Sequence, residues 1–308
     1  MKRLLLISIL FMLGLPFAAQ AQDFIPLWEK GKIPNSKGME LRDDIRDERV
    51  YRVGTPGFYA FFPSRQENKG AAVLICPGGG FERLAYQISG MQLAKWFNTL
   101  GMSAFVLNYR LPKSPDLKQR EIGPLQDAER AMRVIRSHAE KWQIKADKIG
   151  VLGTSAGGHL AANLGTAMED LAKINDETDK FPFSPNFMIL ISPVITMGEY
   201  GHATTRKNLL GEKPSRELIE KYSLEKQVTA TTSPAFIVHA ADDKVVNPRN
   251  SLMFYNALLD KNIPASLHIF PHGGHAIALR NNPGSTETWT TLCEMWLVEM
   301  GFIAQVKK

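Results

Sequence analysis

The residues Gly153-Thr154-Ser155-Ala156-Gly157 set one hydroxyl between two glycines, where the apolar run KIGVLG ends and the helix-like stretch AGGHLAANLGTA begins. A serine on such a strand-to-helix corner sits on a strained turn with its side chain projecting. The residues two before and two after it must then be small, because the chain passes close by. A hydroxyl is a poor nucleophile until a base removes its proton, so the pattern calls for a histidine and for a carboxylate to orient it. Both follow in order along the chain. AFIVHA leads into ADDKVV, and ASLHIF leads into PHGGHAIAL. Asp242 and Asp243 are adjacent, and neighbouring side chains leave the backbone in different directions, so sequence spacing hardly separates them. His275 follows two glycines that let its loop bend, whereas His272 follows Pro271 near the end of its run.

Attack on an acyl carbon creates an oxyanion, and each preorganised donor aimed at it lowers the barrier by about 2.7–4 kcal/mol. The run CPGGGF after AAVLI offers backbone N–H groups with no Cβ in the way. Gly79 and Gly80 are the expected donors, joined by the N–H of Ala156 at the start of its helix, and Phe81 is expected to shape the pocket beside them. The other histidines have quieter roles: His159 packing or hydrogen-bonding beneath the serine corner, His239 and His268 within strands, His138 on a charged helix face. His272 and His275 lack a carboxylate or thiolate at ligand spacing, so neither a metal nor a cofactor is expected.

The elements that must position these residues read as short apolar runs alternating with helical periodicity. From Ala71 onward these are AAVLIC, MSAFVLNY, KIGVLG, FMILISPV, AFIVHA and ASLHIF, separated by stretches such as SGMQLAKWFNTLG and SLMFYNALLDKNI. Runs apolar on both faces between helices predict an α/β fold, a mostly parallel sheet covered on both sides. Upstream, ERVYRV and GFYAFFPS across GTP are expected to pair as a hairpin at the sheet edge. In the last helix, Trp289, Leu292, Met295 and Trp296 fall on one side and are expected to be core. The polar stretch 197–233, inserted after a strand, predicts a cap over the pocket, since such loops open at the carboxyl edge of a parallel sheet.

The 308 residues are 44% hydrophobic and 22% charged, ordinary globular usage, and no linker, low-complexity tract or repeat divides them. A single domain over 22–308 is expected. Residues 1–21 pair two basic residues with an apolar stretch and the small-x-small end Ala19-Gln20-Ala21, the pattern of an export signal cut after Ala21. That stretch is shorter than the ~20 apolar residues of a membrane span. The expected location is therefore periplasmic or extracellular, without membrane attachment after cleavage. Cys76 and Cys293 read as buried apolar residues rather than a bridge. The net charge of +6 includes Lys2 and Arg3, and the remaining basic residues are scattered with no arginine-rich run, so no nucleic-acid partner is expected.

CPGGGF, GTSAGG, ADDKVV and GGHAIAL together resemble an α/β-hydrolase of the esterase/lipase group. With LGMSAFVLNYRLP, PLQDAERAMRVIRSHAEKW and RKNLLGEKPS, the chain more narrowly resembles the bacterial acetyl xylan esterase-like proteins over nearly all of its mature length. The resemblance implies Ser155 as nucleophile and His275 as base, and it favours Asp242 as the acid with Asp243 as the alternative. Many relatives in the wider group carry histidine where this chain has Pro77, which implies a differently supported oxyanion hole. The implied activity is an exported serine carboxylesterase deacetylating plant cell-wall polysaccharide or oligosaccharide through an acetyl-enzyme, xylan foremost. Feruloyl or general short-chain esterase activity is the nearest alternative. A peptidase related to the prolyl oligopeptidases would need a propeller for which the N-terminal section is too short. A binding module on a hydrolase scaffold would be expected to lack one of the three residue types.

Overall fold

The computed structural model describes residues 23–275 and 277–304; the export signal expected at 1–21 lies outside them. Among the described residues there are ten strands: β1 (Phe24–Pro26), β2 (Asp44–Arg46), β3 (Arg49–Arg52), β4 (Gly57–Phe61), β5 (Ala72–Cys76), β6 (Ser103–Asn108), β7 (Ile149–Thr154), β8 (Met188–Ile191), β9 (Ala235–Ala240) and β10 (Ala265–Phe270). The helices are α1 (Gln92–Thr99), α2 (Gly123–Ser137), α3 (Ala156–Thr166), α4 (Ala203–Leu210), α5 (Arg216–Lys221), α6 (Arg249–Asp260) and α7 (Trp289–Glu299).

Eight strands form one sheet in the order β1-β4-β6-β5-β7-β8-β9-β10, with β1 and β4 antiparallel at one edge and the other six parallel. Every residue of β5, β6, β8 and β9 is buried, as expected of strands covered on both faces. The two apolar layers meet the sheet from opposite sides. One carries α2, α3 and α6, through residues such as Met132, Leu160 and Phe254; the other carries α1 and α7, through Phe97 and Trp289. Cys76 and Cys293 are free and buried, and they belong to different layers, so no bridge joins them.

Two local expectations are corrected. The upstream hairpin joins β2 to β3, not β3 to β4, because Asp47 and Glu48 adopt positive φ (47° and 58°) and close a tight turn there. Strand β4 pairs with β1 and β6 instead. On α7 the buried side is Trp289, Cys293, Trp296 and Leu297, while Met295 is 61% exposed. The polar stretch 197–233 folds as α4, α5 and a 3-10 turn at Leu224–Lys226, between β8 and β9. Helix α4 rests on the glycine tract after β5, where Asn208 Nδ2 donates to Gly80 O at 2.8 Å. Among the described residues, no helix is long and apolar enough to cross a membrane.

Candidate active site

Ser155 lies between the last residue of β7 and the first of α3 with φ 57° and ψ −121°, a conformation that L side chains rarely adopt. The flanking glycines are there for space. A Cβ on Gly157 would stand 2.0 Å from Cys76 O, and one on Gly153 would stand 2.0 Å from Gly157 O. Only a backbone stripped of side chains lets α3 start this close to the ends of β5 and β7, and that approach fixes the serine on its corner.

His275 reaches Ser155 from the loop after β10. Its Nε2 is 2.9 Å from Ser155 Oγ, and its Nδ1 is 2.8 Å from Oδ2 of Asp243 on the loop after β9. A carboxylate accepts only, so Nδ1–H donates to Asp243, and Nε2 is left to accept from the serine hydroxyl. Asp243, not Asp242, is therefore the carboxylate on the imidazole. Asp242 is turned to the outside of the same loop, where its Oδ1 accepts from Gly274 N at 2.8 Å and its Oδ2 lies 3.5 Å from the exposed His272.

The choice is made by what surrounds Asp243. Its Oδ1 accepts from the backbone N–H groups of Val245 (2.8 Å) and Val246 (3.0 Å), and its Oδ2 accepts from His239 Nε2 (3.1 Å) as well as from His275. His239 is fully buried in β9; its Nε2–H is shared with Val246 O, and its Nδ1 accepts from Ser251 Oγ at 2.7 Å. Burial alone would raise the Asp243 pKa, but the donors from His239, His275, Val246 and Val245 outweigh it and hold the carboxyl far below the usual range. It is an anion at any pH at which the protein would work. For Asp242, the Gly274 N–H is the main cause of a milder lowering.

The glycine tract has its carbonyls engaged, and the N–H groups of Gly79 and Gly80 are free. Gly78 O accepts from Ala85 N, Gly79 O from Glu82 N and Arg83 N, and Gly80 O from Asn208. Among the described residues, the N–H groups of Gly79, Gly80 and Ala156 donate no hydrogen bond. Gly79 needs to be glycine: at φ 134° its Cβ would stand 2.1 Å from Arg83 O. Where relatives of the wider group carry histidine, Pro77 O accepts from the buried Tyr109 hydroxyl at 2.8 Å, and Ser89 Oγ takes the Gly78 N–H at 3.1 Å. These two side chains hold the tract from beneath.

Ser155, His275 and Gly78 to Gly80 line a cavity of about 290 Å³, whose apolar part is Ile88, Leu93, Ile191, Val245, Ile277 and Leu279. Phe81 is not part of its wall, contrary to expectation. With φ 57° the chain turns the ring inward, where it is 1% exposed and packs against Tyr109 and His159. His159 is buried beneath the corner and donates from Nε2 to Tyr222 O at 2.9 Å; burial pushes its pKa down to about 4. The inserted segment adds His202 and Thr204 to the cavity wall. His202 Nδ1 is 2.8 Å from Thr205 Oγ1, and burial, then the neighbouring His275, lower its pKa. Nothing in the spacing of GEYGHATTRK marks His202, because its place in the wall depends on how α4 docks on the tract. Among the described residues no cluster of His, Cys, Asp or Glu is arranged to hold a metal ion.

The BD-FAE family model matches residues 60–258. The chain belongs to the BD-FAE family. The match takes in the glycine tract, Ser155 and Asp243, and it stops short of His275. Endo-1,4-beta-xylanase B of Butyrivibrio fibrisolvens is 35% identical over 81% of this chain and 40% of its own length. An acetylxylan esterase of Xylanibacter ruminicola is 31% identical over 85% of this chain and 49% of its own length. The chain thus spans less than half of either curated relative. The acetyl ester-xyloside bifunctional hydrolase of Caldicellulosiruptor lactoaceticus is 35% identical with a TM-score of 0.78, covering 92% of this chain and 98% of that one. The carboxylesterase Cest-2923 of Lactobacillus plantarum, 24% identical with a TM-score of 0.69, shares the fold. This BD-FAE member has the α/β-hydrolase fold, with its mostly parallel eight-stranded sheet and helices on both faces.

Proposed function

We propose that this chain is an exported serine carboxylesterase that removes acetyl groups from plant cell-wall polysaccharide or its oligosaccharides, with acetylated xylan as the leading substrate. The observation that carries the reading is the hydrogen-bonded line from Ser155 Oγ through His275 to Asp243, at 2.9 and 2.8 Å, opening on an apolar cavity. Its relatives named as an acetylxylan esterase and an acetyl ester-xyloside hydrolase support the substrate class.

Ser155 Oγ attacks the ester carbonyl as His275 Nε2 takes its proton, and Asp243 stabilises the imidazolium through Nδ1–H. The N–H groups of Gly79, Gly80 and Ala156 receive the oxyanion. The imidazolium then protonates the departing sugar oxygen, leaving an acetyl-enzyme. Water activated by His275 attacks that ester, and acetate leaves. No metal or organic cofactor takes part in these steps. The test is acetate release from acetylated xylan and from a small activated acetate ester. Wild type should turn over both, and wild-type rates retained in Ser155→Ala would eliminate the mechanism.

A cavity of about 290 Å³ exceeds what an acetyl group fills, roughly the space of two waters at ~30 Å³ each. That excess favours a second reading, an esterase for longer or feruloyl acyl groups. Side-by-side rates on acetyl, butyryl and feruloyl esters separate the two. Acetyl preference supports the first, and a higher kcat/KM on feruloyl esters replaces it.

A further inference from the structure

Beyond the glycine tract the cavity wall continues into Glu82 and Arg83. Glu82 also borders a second cavity of about 300 Å³, walled by Asp44, Arg46, Tyr51 and Arg52 of the β2–β3 hairpin and by Lys113. Lys113 in turn borders a third, wider one of about 670 Å³ with Lys118, Arg120 and Glu121. The three cavities are linked in turn, the first to the second through Glu82 and the second to the third through Lys113.

Their chemistry changes along that line. The first is largely apolar; the next two are lined mainly by polar residues, with three bases to two acids in the second and three to one in the third. Asp44 pairs with Arg46 Nε at 3.1 Å and Glu82 with Arg83 at 3.2 Å, so both acids of the second cavity are matched, Asp44 by a cation of the same wall whose terminal nitrogens stay free to donate. Arg52 Nε donates to Arg42 O, and Arg120 Nη2 donates to Asn208 O. Unpaired among the described residues of these two walls are the outer guanidinium nitrogens of Arg46 and Arg52, Nε of Arg120 and the ammonium groups of Lys113 and Lys118, with Glu121 the one unmatched acid. The one aromatic ring in these walls is Tyr51, and a face of it is taken by the Arg46 guanidinium at 4.3 Å. That stacking holds a planar cation in place, which suits a carboxylate better than an uncharged sugar ring.

We propose that this line of cavities is the track for the carbohydrate chain that carries the ester, and that it prefers chains bearing uronic-acid carboxylates over neutral ones. The inference rests on the esterase reading: the acyl group takes the apolar cavity, and the sugar alcohol leaves toward the polar one. Arg46 and Lys113, which share the wall of the second cavity, are the specificity residues that meet the carboxylates.

The experiment uses two readouts on the full chain. The first is kcat/KM for an acetylated xylo-oligosaccharide carrying a glucuronic acid branch, divided by that for the unbranched one and by that for a small acetate ester. In wild type the acidic oligosaccharide is preferred to the neutral one by about tenfold, and the preference collapses at about 0.5 M NaCl. In R46A/K113A it is lost, through KM rather than kcat. The second is calorimetric binding of the acidic, deacetylated oligosaccharide to the Ser155→Ala protein, with and without the two substitutions. Binding should be seen and should weaken about tenfold with them. Equal kcat/KM for acidic and neutral oligosaccharides in wild type, or binding unchanged by R46A/K113A, overturns the proposed track while leaving esterase turnover of the small ester intact. Failure of wild type to release acetate from any ester overturns the esterase reading, whatever the calorimetry gives.

Discussion

Replacing each of the adjacent aspartates by asparagine separates two geometries that differ by one residue in sequence. In Asp243→Asn the amide oxygen can keep the N–H groups of Val245 and Val246, 2.8 and 3.0 Å away. Its NH2 group must then face His275 Nδ1 and His239 Nε2, where the carboxylate accepts from both. An NH2 donor opposite Nδ1 drives the proton to Nε2, and an Nε2–H pointing at Ser155 Oγ cannot take its proton. In a serine hydrolase this error of tautomer costs about 10⁴ in kcat, or about 5 kcal/mol of barrier. Asp242→Asn keeps an oxygen for Gly274 N–H and loses only an exposed charge 3.5 Å from His272, so its rate should stay within about threefold of wild type. The assay is kcat and kcat/KM on a small activated acetate ester, with circular dichroism to check that each variant is folded. A loss of about 10³ or more in Asp242→Asn beside a near-normal Asp243→Asn would refute the geometry from which the proposed mechanism is drawn.

Two further outcomes follow from burial. Gly157→Ala places a methyl 2.0 Å from Cys76 O and 2.6 Å from Pro77 O, both backbone, so α3 must back away from β5. Esterase turnover should fall at least 10²-fold and the thermal midpoint should drop by several degrees, as read by activity and calorimetry; an alanine variant with normal rates would mean the corner tolerates displacement. His159 has a folded pKa of about 4 against 6.5 unfolded, so as pH falls the unfolded chain binds the proton first. Stability from this group is complete above about pH 6.5 and declines toward pH 4, with a slope of up to roughly 1 kcal/mol per pH unit. In urea titrations His159→Gln, which can still donate to Tyr222 O, should flatten that limb, and an unchanged limb would exclude His159 as its source.

The parallel sheet was readable because strands covered on both faces leave continuous apolar runs, and each such run from AAVLIC to ASLHIF became a strand of it. The serine corner was readable for a similar reason: Gly153 and Gly157 are demanded by contacts within a few residues and with the end of β5. The carboxylate was not. Whether Asp242 or Asp243 turns inward depends on His239, buried in β9, and on the turn that aims the N–H groups of Val245 and Val246, and neither leaves a mark on the pair itself. Phe81 was misplaced because adjacency to the glycine tract says nothing of the positive φ that turns its ring into the core. Met295 lies one helical turn from Leu292, yet the axis of α7 is set by Trp289, Cys293 and Trp296, which leaves it outside. The support from Tyr109 and Ser89, and the wall residue His202, depend on contacts between segments far apart in sequence.

The two aspartates nevertheless act on one problem. His275 stands on a loop with Gly273 at φ 150° and Gly274 at φ 57°, conformations that give the chain freedom rather than a fixed direction for an imidazole. Asp243 fixes the ring by accepting from Nδ1, and Asp242 fixes the backbone just before it by accepting from Gly274 N–H. Both anchors issue from the loop after β9, and that loop is itself tied to the end of β10 by Ala241 N donating to Phe270 O at 2.7 Å. The histidine loop is thus held at its root, its bend and its ring by one neighbouring segment. Adjacent carboxylates turned in opposite directions are what such a segment requires: one must reach the interior, where His239 and two backbone donors keep it charged, and the other must stay at the rim, where the bending loop passes.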